Sequence, residues 1–161
     1  MLYKSKRPTR ILHINVEIGE TDQVYNQFSL PWAGKREITI CTFFKSDMKP
    51  PKTITVFEGD GSFKGFFRAL KAALAEKEYD IIHAHSPHCG FLFLAATRFA
   101  YRKFKPFTVV TVHDSYQNYK LRNRILWLPV FASFQRVVCC SRASYDSFPA
   151  LYRRLAGDRL D

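Results

Sequence analysis

Two strand-like segments end in histidines, and these histidines are the first residues to consider for chemistry. The apolar segment Ile81–Ala84 is followed by His85, and the β-branched segment 107–112 is followed by His113 and Asp114. Ligands of open α/β sheets bind beyond the carboxyl ends of the strands. We therefore expect His113 to contact a substrate hydroxyl or phosphate and Asp114 to orient polar groups. Capping of the sheet edge by the histidine is the alternative.

A metal site is the second chemistry that histidines at this spacing suggest. His83 and His85 project to one face of their strand, and His88 follows a turn later. No aspartate or glutamate lies beside them in the turn, whereas metal-bound imidazoles usually need oriented second-shell partners. We therefore expect no metal ligands here, with His83 in the core and His85 lining a cleft.

A third strand-like segment, 136–140, is followed by Ser141 and Arg142 at the start of a helix. The free N–H groups and positive end of that helix could hold an anion. Simple capping of the helix by the Ser141 hydroxyl explains the same residues. Both interpretations stay open at the level of the sequence.

The segments that must position these residues alternate between strands and helices. Strand patterns cover 10–16, 37–44, 53–57, 80–84, 107–112 and 136–140. Helix patterns cover 24–30, 63–74 and 89–102, and Pro129 should kink or split a further helix. This alternation predicts an α/β fold with a Rossmann-like, doubly wound parallel sheet of about six strands in the order 3-2-1-4-5-6.

Two of the predicted helices carry local signals. Thr21 or Asp22 can cap the helix over 24–30. In the helix over 63–74, spacing predicts one face that packs on the sheet and a basic face away from it. The packing face consists of Phe63, Phe66, Phe67, Leu70 and Leu74, and the basic face of Lys64, Arg68 and Lys71.

Sequence motifs of several enzyme classes are absent. The loop after the first strand holds one glycine, Gly19, and no G-x-G-x-x-G, which argues against NAD binding. No P-loop lysine motif and no G-x-S-x-G is present, which argues against an NTPase and an α/β-hydrolase.

Length and composition indicate one ordinary domain. The chain has 161 residues, of which 47% are hydrophobic and 16% aromatic, enough for a proper core. No apolar run reaches the roughly 18 residues of a membrane span, and the four cysteines show no metal-type spacing. We expect a cytosolic protein with a basic N-terminal tail, 1–9, and one domain, 10–161.

The net charge of +11 is concentrated in the second half of the chain. Residues 98–161 hold 12 basic and 4 acidic residues, against 13 and 10 in residues 1–97. Such an excess suggests an anionic partner, either membrane lipid, a phosphorylated substrate or nucleic acid. No nucleic-acid-binding module is recognisable, so we expect no nucleic-acid partner.

Three strand-end motifs together carry a family resemblance. Asp80-Ile-Ile-His-Ala-His-Ser86, Thr111-Val-His-Asp114 and Val137-Val-Cys-Cys-Ser141 occur in this order on successive strands. In this respect the chain resembles the N-terminal domain of family 4 (group 1) glycosyltransferases of the GT-B fold. The resemblance extends from Arg10 to about Asp161.

The resemblance implies retaining transfer of a sugar from a nucleotide-sugar donor to a glycan or lipid-linked acceptor, with no required metal or other cofactor. It implies that His113 contacts the donor sugar near the reacting carbon. Gly19 would let backbone approach the donor phosphates, and His85 and Ser86 would line the acceptor side. Family members usually have paired glycines after the first strand, whereas this chain has Glu17-Ile-Gly19-Glu20.

The resemblance also implies a second, donor-binding domain, which this sequence does not contain. We therefore expect the chain to be inactive without that domain in cis or in trans. The basic residues Lys64, Arg68, Lys71, Arg102 and Lys103 are expected to face anionic lipid at the inner surface of the membrane. The alternative function is a non-catalytic binding module that attaches to a membrane surface or protein partner through this basic face.

Overall fold

A computed structural model of the chain describes residues 7–97 and 107–161. Arg102, Lys103 and the end of the predicted apolar helix lie outside the described residues, as does most of the predicted N-terminal tail.

Six parallel strands form one sheet in the described part of the chain, in the order β3-β2-β1-β4-β5-β6. The predicted fold class and strand order are therefore confirmed. In the middle of the sheet, His13 pairs with His83, and His83 pairs with Val109 on the next strand. The strands are β1 Arg10–Asn15, β2 Glu37–Thr42, β3 Ile54–Glu58, β4 Ile81–Ala84, β5 Phe107–Val112 and β6 Arg136–Cys139.

The main hydrophobic core lies between one face of the sheet and a layer of helices. Leu12 and Val110 of the sheet and Phe66 and Phe131 of the helices are fully buried in one cluster. Full burial of a leucine or phenylalanine side chain contributes roughly 1.5–3 kcal/mol to folding. The helices are α1 Phe63–Glu76, α2 Pro87–Thr97, α3 Leu121–Ser133, α4 Arg142–Ser147 and α5 Ala150–Ala156.

Helix α1 begins where its sequence predicts, because the Ser62 hydroxyl accepts a hydrogen bond from the backbone N–H of Gly65. Phe66 and Leu70 are buried as expected. Phe63 is not buried: 65% of its surface is exposed. It lies in the first turn, where its ring meets Phe43, the residue after β2, at a centroid distance of 5.8 Å instead of entering the core.

Helix α3 is continuous through Pro129, so of the two effects predicted for this proline, a kink or a split, the split is wrong. Proline removes one backbone donor from the helix. The final turn nevertheless closes with a bond from the N–H of Phe134 to the carbonyl of Val130. Trp127, Val130 and Phe131 are all fully buried, so tertiary packing holds the helix on both sides of the proline.

The other face of the sheet is covered beside β1 to β3 by a π-helical turn over Val24–Ser29 and a 3-10 turn over Leu30–Trp32. Tyr25 of the π-helical turn belongs to a second apolar cluster with Ile40 and other isoleucines. The predicted cap is present, because the Asp22 carboxylate accepts bonds from the N–H groups of Val24 and Tyr25. The helix predicted over 24–30 is therefore formed as two shorter turns, the second of which contains Pro31.

The loop between β3 and α1 packs closely against the end of β2. A Cβ at Gly59 would lie 2.3 Å from the carbonyl oxygen of Phe43, which is backbone and cannot swing away. At Gly61, φ is +83° and a Cβ would meet the Phe44 ring at 2.9 Å. Glycine at these two positions therefore fixes where Phe43 and Phe44 lie.

Gly59→Ala should destabilise the domain by about 1–3 kcal/mol, as expected for overpacking against rigid backbone. Gly19→Ala is the matched control, because a Cβ there would have no atom within 4 Å and its φ lies outside the left-handed region. Urea denaturation of both variants measures the difference. Equal unfolding midpoints for the two would contradict the close approach at Gly59.

Candidate active site

The carboxyl edge of the sheet gathers the polar residues that follow four of its strands. Because the strands are parallel, these loops emerge at the same edge. The residues are Gly19 and Asp22 after β1, His85 and Ser86 after β4, His113 and Asp114 after β5, and Ser141 and Arg142 after β6.

Three histidines form a compact cluster beside this edge. His13 is 3% exposed and His85 5%, and His13 Nδ1 lies 2.9 Å from His85 Nε2. His83 is half-buried and its Nε2 lies 2.7 Å from Thr111 Oγ1. The ring of Phe28, from the π-helical turn, packs on His85 at 5.6 Å. Sequence reasoning gave no role to His13, because its place beside His83 depends on the register of β1 and β4.

Burial keeps these histidines neutral. It lowers the pKa of His13 to about 4. The pKa of His83 is lowered to about 3, first by burial and then by the neighbouring His13 and His113. The pKa of His85 also lies well below its usual value, first because of burial and then because of the adjacent histidines. At neutral pH each ring therefore offers one N–H donor and one lone pair.

The cluster keeps hydrogen-bonding capacity that the protein does not use. A single bond between two neutral imidazoles consumes one donor and one acceptor, whichever tautomers are present. One N–H and one lone pair must remain, at His13 Nε2 and His85 Nδ1. Both atoms are buried and have no hydrogen-bond partner among the described residues.

His113 lies at the meeting point of three loops. Its ring is 5.8 Å from that of His85, and its Nδ1 is 3.5 Å from the Cys140 sulfur. Partial burial lowers the pKa of His113, and the negative charge of Asp22 acts in the opposite direction. Asp22 is held by Asn15, whose amide donates to its carboxylate at 2.8 Å. The sequence indicated Asp22 as a helix cap and gave no sign of its place near His113.

Asp114 is exposed and organises its own loop. Its carboxylate accepts bonds from the backbone N–H of Ser115 at 2.7 Å and from the Asn118 amide at 2.6 Å. Its backbone carbonyl accepts a bond from the Ser144 hydroxyl, which ties this loop to α4. The side chain thus orients the polar groups of the loop after β5.

The remaining predicted residues have local partners. Ser86 accepts a bond from the N–H of Cys89, and Ser141 accepts one from the N–H of Ser144, so both hydroxyls cap helices. Arg142 pairs with Asp146 at 3.0 Å within α4 and stacks on Tyr145. Gly19 lies beside open space. None of these bonds joins Ser141 or Arg142 to the histidine cluster.

The three histidines that could hold a metal in the structure are not the three that the sequence pattern suggests. His13, His83 and His85 place ligand nitrogens within 4.8 Å of one another, whereas His88 lies on α2 and bonds Arg122. Imidazole nitrogens suit zinc or copper better than magnesium. A metal would have to replace the hydrogen bond between His13 and His85, and in the described residues no carboxylate belongs to this set.

The basic face of α1 is exposed at Lys64, Arg68 and Lys71. Arg68 lies 3.6 Å from the Asp60 carboxylate, so part of its charge is compensated. Within residues 7–97 and 107–161, no helix has the length and apolar character needed to cross a membrane.

The comparisons with known proteins agree with the fold and with the strand-end motifs. The model of Glycosyltransferase Family 4 matches residues 38–159, which is most of the chain. The chain therefore belongs to glycosyltransferase family 4. The matched segment runs from β2 past β6 and includes His85 and His113, whereas Gly19 precedes it. A comparison with curated proteins found no match.

Stability should fall as the pH is lowered from 7 to 5. The folded-state pKa values of the clustered histidines lie below the value of about 6.5 expected in the unfolded chain, so below that pH the unfolded chain binds protons that the folded chain does not. Each proton that the chain takes up on unfolding lowers the free energy of unfolding by about 1.4 kcal/mol for every pH unit below that value. Urea denaturation at pH 7, 6 and 5 measures the loss.

His13→Asn should reduce this pH dependence by one proton, because asparagine does not titrate. Glu20→Gln, an exposed change outside the cluster, is the control and should leave the slope unchanged. A wild-type unfolding free energy that is the same at pH 7 and pH 5 would show that the histidines are not buried as neutral groups.

Proposed function

We propose that this domain forms the acceptor side of a retaining glycosyltransferase, which moves a sugar from a nucleotide-sugar donor to a glycan or lipid-linked acceptor. The observation that carries the proposal is the position of His113. It lies at the carboxyl edge of a family 4 domain, 5.8 Å from the His85 ring and close enough to Asp22 to be influenced by its charge.

In this proposal His113 contacts the donor sugar near the reacting carbon. Its lowered pKa favours a neutral ring, which can bond a sugar hydroxyl without adding a fixed positive charge. His113 Nε2 is buried and has no hydrogen-bond partner among the described residues, so its hydrogen-bonding capacity is unused within the domain. His85 and Ser86 line the acceptor side, and Asp114 orients the loop that carries His113.

The donor phosphates would approach the loop after β1. A Cβ at Gly19 would have no atom within 4 Å, so packing in the domain does not explain the glycine. Open space for an approaching ligand supports this position for the phosphates. The nucleotide would be held mainly by a second Rossmann-like domain, in the same chain or in another subunit. Ser141 and Arg142 would complete the substrate side beyond β6. The transfer needs no metal ion in this proposal.

Replacing His113 by alanine in the complete, two-domain enzyme should lower the rate of transfer by at least about 100-fold, the usual cost of removing one hydrogen-bonding group that acts in the transition state. Sugar transfer from a nucleotide-sugar donor measures the effect, in buffer with EDTA. Arg154→Gln, on the exposed surface of α5, is the control.

Circular dichroism should show that the His113→Ala variant keeps its fold. Transfer at the wild-type rate by this folded variant would remove His113 from the mechanism. Loss of wild-type activity in EDTA would contradict the metal-independent reaction.

A non-catalytic membrane-binding module is the second candidate, and the exposed basic face of α1 is the observation that favours it. Membrane attachment by itself is also compatible with sugar transfer, because a lipid-linked acceptor would bring the enzyme to a membrane. In that case the protein would work in the cytoplasm, at the inner surface of the membrane.

The double variant Lys64→Gln/Lys71→Gln should weaken sedimentation with anionic vesicles at low salt. Each basic residue near such a surface adds about 1 kcal/mol, so two should change the partition coefficient by roughly 30-fold. Lys52→Gln/Arg154→Gln, which removes the same charge from exposed positions elsewhere, is the control. Equal sedimentation of the two double variants would show that the α1 face is not the contact.

A further inference from the structure

A cavity of about 250 Å³ lies among the first turns of α1, α2 and α3 and the ends of β1 and β2. These segments all lie at the carboxyl edge of the sheet. One wall is apolar and the opposite side carries charge. The apolar wall is formed by Val16, Phe43, Phe44, Phe63 and Leu92, and the charged side by His88 and Arg122.

The phenylalanines of the wall are held in place but not covered. Phe43 contacts Phe44 and Phe63 edge to face, at centroid distances of 5.1 and 5.8 Å. The glycine-containing loop 59–61 packs beneath them, with a bond from the N–H of Gly61 to the carbonyl of Phe43. Phe44 is nevertheless 45% exposed and Phe63 65% exposed. The described residues thus leave this aromatic surface partly exposed.

The charged side has an arginine, Arg122, that forms no ion pair with a carboxylate of the described residues. Arg122 Nη2 donates a hydrogen bond to His88 Nε2 at 3.0 Å. Burial and the nearby Arg122 lower the pKa of His88, so the imidazole accepts this bond as a neutral ring. Among the ion pairs of the described residues, none joins Arg122 to a carboxylate. A guanidinium in this state retains donors in the fork arrangement that binds phosphate with two parallel bonds.

We propose that this cavity binds a lipid phosphate, with part of the apolar chain against Phe43, Phe44 and Phe63 and the phosphate on Arg122. The proposal rests on the proposed function to the extent that such a molecule would be the acceptor or its carrier. The sugar-accepting end would then lie at the same edge of the sheet as His113.

Size and chemistry select this occupant over others. A volume of 250 Å³ is slightly below the usual range of about 300–1,000 Å³ for a whole small ligand, which suits a segment of a longer chain. A peptide would bring backbone amides that the apolar wall could not hydrogen-bond, and burying unpaired amides is costly. A neutral free sugar could pack its C–H faces on the aromatic wall, but it would leave the charge of Arg122 without a complementary group.

The test uses octyl phosphate below its micelle concentration as the probe, titrated into the chain by calorimetry. Octyl glucoside provides the same chain without the charge, and inorganic phosphate provides the charge without the chain. Octyl phosphate should bind at least ten times more tightly than either. Arg122→Gln should weaken octyl phosphate at least tenfold and leave octyl glucoside unchanged, whereas Phe63→Ser should weaken both.

Matched controls are available on α5, where Arg154→Gln removes an exposed charge and Leu151→Ser an apolar side chain that is 57% exposed. Both should bind octyl phosphate as the wild type does. If Phe63→Ser fails to fold, Phe44→Ser tests the same wall. Equal affinities for octyl phosphate and octyl glucoside would overturn the proposal, as would equal affinities for octyl phosphate and inorganic phosphate, or wild-type binding by the Arg122 and phenylalanine variants.

The outcome is independent of the sugar-transfer experiment. Binding is measured without any donor, so loss of transfer has no bearing on whether the cavity holds octyl phosphate. A cavity that fails to bind octyl phosphate would leave the proposed transfer intact and direct the search toward an acceptor without a lipid phosphate. A chain that binds octyl phosphate while the complete enzyme transfers no sugar would reject the transfer alone.

Discussion

The parallel pairing of β4 with β1 on one side and β5 on the other is the constraint on which the rest of the structure depends. These three strands lie in the centre of the sheet, and their register is set by the apolar side chains, such as Ile82 and Ala84, that must be buried on the core face. That register brings His13 beside His83 and directs the loop with His113 toward His85. A shift of one residue would send the histidines to the helical face and put Ile82 and Ala84 in their place.

Burial of the histidines has a cost and a chemical consequence. The interior disfavours the imidazolium form, so the rings are neutral and the domain loses stability in acid. Buried polar atoms without partners each reduce stability by roughly 1–3 kcal/mol. The apolar packing of the opposite face, with Phe66 and Trp127 fully buried, offsets this cost. The other face of the sheet therefore carries, beside its own apolar cluster around Tyr25 and Ile40, a polar cluster that folding alone does not require.

The carboxyl edge combines two environments. Near β4 and β5 it is polar and lined by His85 and His113. Beyond β2 it becomes an aromatic cavity whose lining includes Arg122, a guanidinium with no carboxylate partner among the described residues. In the proposed function, the polar part of the edge would receive the hydrophilic end of an acceptor and the cavity part of its apolar chain. The loop 59–61 positions the aromatic part of this edge, because its glycines allow it to pack closely against Phe43 and Phe44.

The sequence by itself determined the fold class, the strand order and the family, because buried strands and their strand-end motifs are encoded by neighbouring residues. It also determined the cap of the turn after Asp22, since a cap is a contact over three residues. Only the tertiary structure decided the membership of the histidine cluster, which includes His13 and not His88, and the exposure of Phe63. It likewise decided the continuity of α3 through Pro129 and the meeting of Arg122 with His88. These features join residues far apart in the chain, and their geometry follows from sheet register and helix packing, which no local pattern contains.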